Sequence, residues 1–143
     1  MLKSISSAIG PVGPSFSAYQ SAAQTISSLT ATKIAFQTEE WDTDAAFDPS
    51  VNYRFTPQVP GYYAVNATIT LGSPSYSILR IAKNGTFWKE SRTQGDISLT
   101  IACEVYLNGT TDYIEAYIEL VTGQNLVAAS EYTYFQASLA RRA

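Results

Sequence analysis

The chain contains no histidine and one cysteine, Cys103. The missing histidine removes the commonest general base and every catalytic triad that depends on it. A lone cysteine cannot close an internal disulfide, so stability has to come from packing or from association between chains. Charged residues are scarce as well, 15% of the chain against about 25% in an ordinary soluble domain. The net charge is -3, and the only adjacent basic residues are Arg141 and Arg142. Nucleic acid and anionic membrane surfaces are therefore poor partners, since both need clustered cations. No apolar run approaches the ~20 residues of a membrane span, and Met1 to Gly10 lacks the continuous apolar stretch of an export signal. No glycine-rich phosphate loop is present either, and nothing implies a cofactor.

What is present is apolar residues and aromatics, 45% and 13% of 143 residues, enough for one hydrophobic core. Ser, Thr, Asn, Gln and Tyr take the place of charge on the outside. Residues 1–15 read as small and flexible, and Gly10-Pro11-Val12-Gly13-Pro14 holds a fragment of collagen-like repeat that fails at Phe16. This stretch reads as a flexible N-terminal arm, with residues 16–143 forming the domain.

From residue 60 onward the hydrophobic period is two. Tyr62–Leu71 turns Tyr63, Val65, Ala67, Ile69 and Leu71 to one face. Asp96–Leu107 does the same with Ile97, Leu99, Ile101, Cys103, Val105 and Leu107, which places Cys103 in the core as a small hydrophobe. Tyr113–Val121 buries Ile114, Ala116, Ile118 and Leu120, and Tyr132–Ala140 points Thr133, Phe135, Ala137 and Leu139 inward. Turn chemistry falls between these runs, at Pro60-Gly61, Gly72-Ser73-Pro74, Asn84-Gly85, Gly95-Asp96, Asn108-Gly109 and Gly123. Short alternating strands with regular punctuation specify an all-β sandwich or barrel. The sequons at Asn66, Asn84 and Asn108 read as incidental turn and strand residues.

Phe16-Ser17-Ala18-Tyr19, Phe55-Thr56-Pro57-Gln58-Val59-Pro60-Gly61-Tyr62-Tyr63, Ile81-Ala82-Lys83-Asn84-Gly85 and Tyr134-Phe135-Gln136-Ala137-Ser138-Leu139 follow one another in the order of a known pattern. The chain resembles the globular-head domain of the complement q-subcomponent, within the tumour necrosis factor-like superfamily. Ala137 stands where that pattern has glycine. The resemblance covers about residues 16–140 and implies an antiparallel ten-stranded jelly roll that assembles as a homotrimer. It also implies a non-enzymatic ligand-binding head or structural knob, and similar domains occur on the fibres, tails and capsids of bacterial viruses. A short chain without an export signal suits the second use. The expectation is a bacteriophage structural protein on the virion surface, a capsid or tail decoration knob or a fibre tip, held to other virion proteins by residues 1–15. The alternative is a soluble head that recognises a glycan or protein of a host surface.

Read locally, Asn84-Gly85 and Asn108-Gly109 are hairpin turns within one sheet. The resemblance sends the chain from one sheet to the other at both places, and that reading is preferred, because Asn-Gly serves any tight reversal.

Candidate sites follow from the faces turned away from the core. Tyr113, Tyr117, Tyr132 and Tyr134 lie on such faces, and the resemblance puts their two strands in the sheet that lines a threefold axis. Aromatic rings with a polar tip suit a desolvated subunit interface. Tyr76 and Ile78 join them, because Tyr76–Lys83 is apolar on both faces, as a doubly covered strand requires. A charge at Tyr117 is then expected to break the trimer. Trp41 and Trp88 read as core or interface residues, with stacking on a sugar as the ligand-contact alternative. Glu39, Glu40, Asp42, Asp44 and Asp48 surround Trp41; they read as a solvated loop, with Asp42, Asp44 and Asp48 a weak calcium candidate that lacks the glycine and final glutamate of a helix-loop-helix site. Glu115 and Glu119 share a face but stand roughly 13 Å apart along a strand, too far for a glycosidase pair.

Overall fold

A computed structural model describes residues 12–143, all of them strand, turn or loop. The strands are β1 (Ser15–Tyr19), β2 (Thr25–Ile26), β3 (Thr32–Lys33), β4 (Thr38–Asp42), β5 (Gly61–Thr70), β6 (Tyr76–Lys83), β7 (Thr86–Gln94), β8 (Ser98–Leu107), β9 (Ile114–Leu120), β10 (Gln124–Asn125) and β11 (Tyr134–Arg142). They form an antiparallel five-stranded sheet ordered β4-β1-β11-β5-β8 and a four-stranded sheet ordered β3-β9-β6-β7, with β10 and β2 as a small ribbon. This is the jelly-roll sandwich that the alternation and the resemblance specify, with eleven strands where ten were expected. Three of the eleven are only two residues long. The arm expected at residues 1–15 lies outside the described residues up to residue 11. Ser15 already belongs to β1, and the Pro14 carbonyl accepts the Leu139 N–H at 3.0 Å.

The core is where the period-two runs meet. Tyr63, Val65, Ala67, Ile69, Leu99, Ile101, Val105 and Leu107 of β5 and β8 face Leu79, Ile81, Ile114, Ala116, Ile118 and Leu120 of β6 and β9. An aromatic cluster fills the β1 side. Phe16 stacks on Phe47 and Phe55, each with ring centroids 4.6 Å away, and meets Phe135 edge-on at 5.1 Å. Tyr63 donates its hydroxyl to the Val59 carbonyl at 2.7 Å, and burial first, then the charge of Asp44, pushes its pKa up to about 12.

Three local expectations change. Ile97 is 49% exposed, not core, because the β5–β8 ladder ends at the Thr70–Ser98 pair and the chain turns at Gly95, φ 92°. Alternation does not carry through a reversal. Cys103 is only half-buried, because β8 is the edge of its sheet; burial still raises its thiol pKa, opposed by Lys89. Asn84-Gly85 is a hairpin turn after all, with φ of 52° and 79° and Lys83 paired to Thr86, the left-handed pair that two-residue turns prefer. Asn108-Gly109 does cross between the sheets, from β8 to β9.

β7 and β8 lie along the same open side of the sandwich. There the amine of Lys83 donates to the Tyr106 carbonyl at 2.7 Å and the indole of Trp88 to the Glu104 carbonyl at 3.3 Å. Side chains of one sheet thereby occupy backbone acceptors along the free edge of the other, which protects that edge from pairing with foreign strands.

Candidate functional site

The two outer faces of the sandwich differ in charge. On the four-stranded sheet, Glu115 is 2% exposed and held by Lys33 at 2.6 Å and Arg54 at 3.3 Å. The Arg54 guanidinium also lies 3.8 Å over the Tyr113 ring. One turn of the ladder away, Arg80 bonds Glu119 at 2.7 Å and Glu90 at 3.2 Å, and Glu90 holds Arg92 at 2.5 Å. Tyr117 meets Phe87 edge-on at 5.5 Å, and burial, then the Glu115 charge, raises its hydroxyl pKa. Each of these charges finds its partner within the chain.

The five-stranded sheet is different. The ladders set its outer residues in rows: Tyr62 beside Tyr106; Ser15, Ser138, Ala64 and Glu104; Ser17, Gln136, Asn66 and Ala102; Tyr19, Tyr134, Thr68 and Thr100. Between Arg141 and Tyr134, the three central strands β1, β11 and β5 present no carboxylate, lysine or arginine on this face. The middle is small residues and amides, and Gln136 donates to Ser17 Oγ, which in turn donates to Glu40. Trp41 of β4 stands 47% exposed at one side, its indole N–H bonded to Ser15 Oγ at 3.0 Å. Between Trp41 and Glu104 runs an open groove of about 560 Å³, floored by Ala64, Asn66, Ala102 and Ser138. The strands of this sheet, five to ten residues long and spaced ~4.8 Å, cover roughly 600 Å² in projection, against the ~800 Å² per partner of a stable interface.

The tyrosine set is accordingly divided. Tyr76, Ile78, Tyr113 and Tyr117 belong to or border the four-stranded sheet, where Ile78 is covered by its own neighbours Glu119 and Arg92. Only Tyr134, with Tyr132 just before β11, lies on the five-stranded side. The expectation of one shared sheet fails because alternation tells inside from outside and is silent about which sheet a strand joins. Trp41 and Trp88 are not core residues; Trp88 is 46% exposed on β7, with the Lys89 amine 4.9 Å from its ring.

The acidic segment does not gather around a cation. Asp42 accepts the N–H groups of Ala46 and Phe47, and Asp48 accepts those of Ser50, Val51 and Asn52. Among the described residues no three Asp, Glu, Cys or His side chains come together as a metal site requires. Those backbone hydrogen bonds, Ser50 first, hold the Asp48 carboxyl below the ordinary carboxylate range. A depressed folded pKa gives stability that is complete above the unfolded value of about 3.9 and is lost as pH falls below it. Asp48→Asn should therefore cost about 1 kcal/mol at pH 7, with the difference from the parent shrinking in unfolding curves recorded below pH 4.

No family model matches the sequence, and no curated protein matches it. Solved structures do. The chain is similar to the globular domain of zebrafish complement 1qA protein, at 19% identity and a TM-score of 0.60 over 91% of this chain and 99% of that one. It is similar to murine APRIL, at 9% identity and a TM-score of 0.70 over 88% and 98%. PRD1 vertex protein P5 matches at 12% identity and a TM-score of 0.69 over 92% and 100%. What these likenesses share with the chain is the fold, a jelly-roll sandwich of the complement-head and tumour necrosis factor kind.

Proposed function

We propose that three copies associate through the outer face of the five-stranded sheet into a non-enzymatic trimeric head, a structural knob on the surface of a bacteriophage virion. The observation that carries this reading is the contrast between the faces: one saturated with internal ion pairs, the other free of charged side chains on its central strands between Tyr134 and Arg141, and grooved. A closed ring of three needs two different, complementary patches on each copy. The groove beside Trp41 is one. The aromatic edge of Trp88 and Tyr106, bordering the same sheet, is the second, and Lys89 there complements Glu39 and Glu40 beside Trp41. PRD1 vertex protein P5 is similar over nearly the whole chain, which favours a virion role, on the capsid, on the tail or at a fibre tip. Residues 1–15 would then tie the head to other virion proteins.

Light scattering tests the association directly: the expected mass is three times the 15.6 kDa of one chain, and a monomer at micromolar concentration defeats the reading. Mass spectrometry of purified particles tests the virion role. A second reading, a glycan-recognition head, draws on the groove itself, where an exposed indole stands beside Asn66, Gln136 and Ser138. Retention on a glycan array, abolished by Trp41→Ala, would favour it.

A further inference from the structure

The first described residue meets the C-terminal strand at one end of the sandwich, where Arg142 bonds the Val12 carbonyl at 2.8 Å. The opposite end exposes Leu29, Tyr76, Ile97, Val121 and Tyr132. These side chains come from neighbouring loops. The Leu29 N–H donates to the Leu120 carbonyl at 2.7 Å and the Val121 N–H to the Tyr76 carbonyl at 3.0 Å. The Leu71 N–H donates to the Ile97 carbonyl at 2.6 Å, and the Thr70 hydroxyl to the Tyr132 carbonyl at 3.0 Å.

Leu29 is the odd member. It is 70% exposed, and its φ is 55°, a left-handed conformation that glycine adopts freely and leucine only under strain. Folding gains little from this side chain, because it is barely packed, and would gain from glycine at this φ. A strained residue that holds an apolar group out into water is the arrangement expected of a contact made with something else.

The charge at this end says what. The loops 71–75, 95–97 and 121–133 contain Asp96 and Glu131 and no Lys or Arg. Lys33 is bound to Glu115, and Arg92 to Glu90 and the Tyr76 hydroxyl. Phosphate, sulfate and anionic lipid find no unpaired cation here among the described residues. Three of the five exposed residues are aliphatic, a poor platform for a sugar ring. We infer that this distal end docks a protein segment offering an apolar side chain flanked by lysine or arginine, complementary to Leu29, Val121 and Tyr76 with Asp96 and Glu131 at the rim. The inference rests on the head reading for the direction in which the surface points, but the surface itself belongs to a single chain.

The full chain is panned against a random peptide library displayed on phage. Enriched peptides should combine Lys or Arg with a large apolar residue, and their affinity should fall at least about tenfold for Leu29→Asp, Val121→Asp and Leu29→Gly. Leu29→Gly should at the same time raise Tm by about 2–4 °C, a combination that a merely structural leucine does not give. Peptides that bind the variants unchanged, absence of that motif, or a lower Tm for Leu29→Gly would each overturn the inference. So would retention of the parent on an array of neutral glycans that Leu29→Asp abolishes, since the surface would then be a sugar site. Light scattering on the same samples keeps the two proposals apart: a monomer that binds such peptides refutes the trimer alone, and a trimer that binds none refutes the docking surface alone.

Discussion

Ala64→Arg is expected to give a folded monomer. Ala64 lies on the outer face of β5, exposed, at the floor of the groove and directly across the ladder from Glu104. In the single chain the new guanidinium has room and a carboxylate beside it, so monomer stability should change by no more than about 0.5 kcal/mol. In the assembly the same side chain fills the groove that a neighbouring copy must enter and places a charge in a desolvated contact, three times over. A penalty of about 3–5 kcal/mol per contact lowers association by a factor of roughly 10²–10⁴ at each. Light scattering should show one chain per particle while thermal unfolding stays near the parent value. Tyr117→Glu is the control. Its ring packs on Phe87 over the ion-paired four-stranded sheet, so the trimer mass should persist; a monomer there, with Ala64→Arg still trimeric, would move the interface to the other face.

Phe16→Ala should have the largest effect on stability. Its ring touches Phe47, Phe55 and Phe135 at once, joining the segment between β4 and β5 to the core through Phe47 and Phe55. Truncating a buried phenylalanine costs about 3–5 kcal/mol, a large part of the roughly 5–15 kcal/mol that holds a domain together. Tm should drop by about 10 °C, and proteolysis should begin between residues 43 and 60. A variant that unfolds within about 2 °C of the parent would show that the cluster closes over the gap without strain.

The sequence carried the fold well because period-two burial is a local property: in Tyr63 to Leu71 and in Ile114 to Leu120 every inward assignment matches the buried residues. It carried the candidate site poorly because the site depends on which strands become neighbours. Tyr117 and Tyr134 look alike in the sequence, but one lies beside Arg80 and the other beside Thr68. The Lys33–Glu115–Arg54 group joins residues from three distant segments, and no spacing rule announces it. Trp41 was hidden for another reason. β4 is short and acidic, and its pairing with β1 shifts register between Ser17 and Ala18, so alternation gives no clue that its indole flanks a groove. At Asn84-Gly85 the local turn rule was the better guide, and at Asn108-Gly109 the resemblance was, because one dipeptide serves both a hairpin and a crossover.

The bond between Arg142 and Val12 brings the first described residue against the end of the last strand. A linker of a few residues between them would circularise the domain with little distortion, and new termini could be opened at the exposed Ser50–Asn52 turn, whose backbone is held by the Asp48 carboxylate and not by a ladder. A cargo grafted at the C-terminus would sit at the pole remote from Leu29, leaving that surface clear.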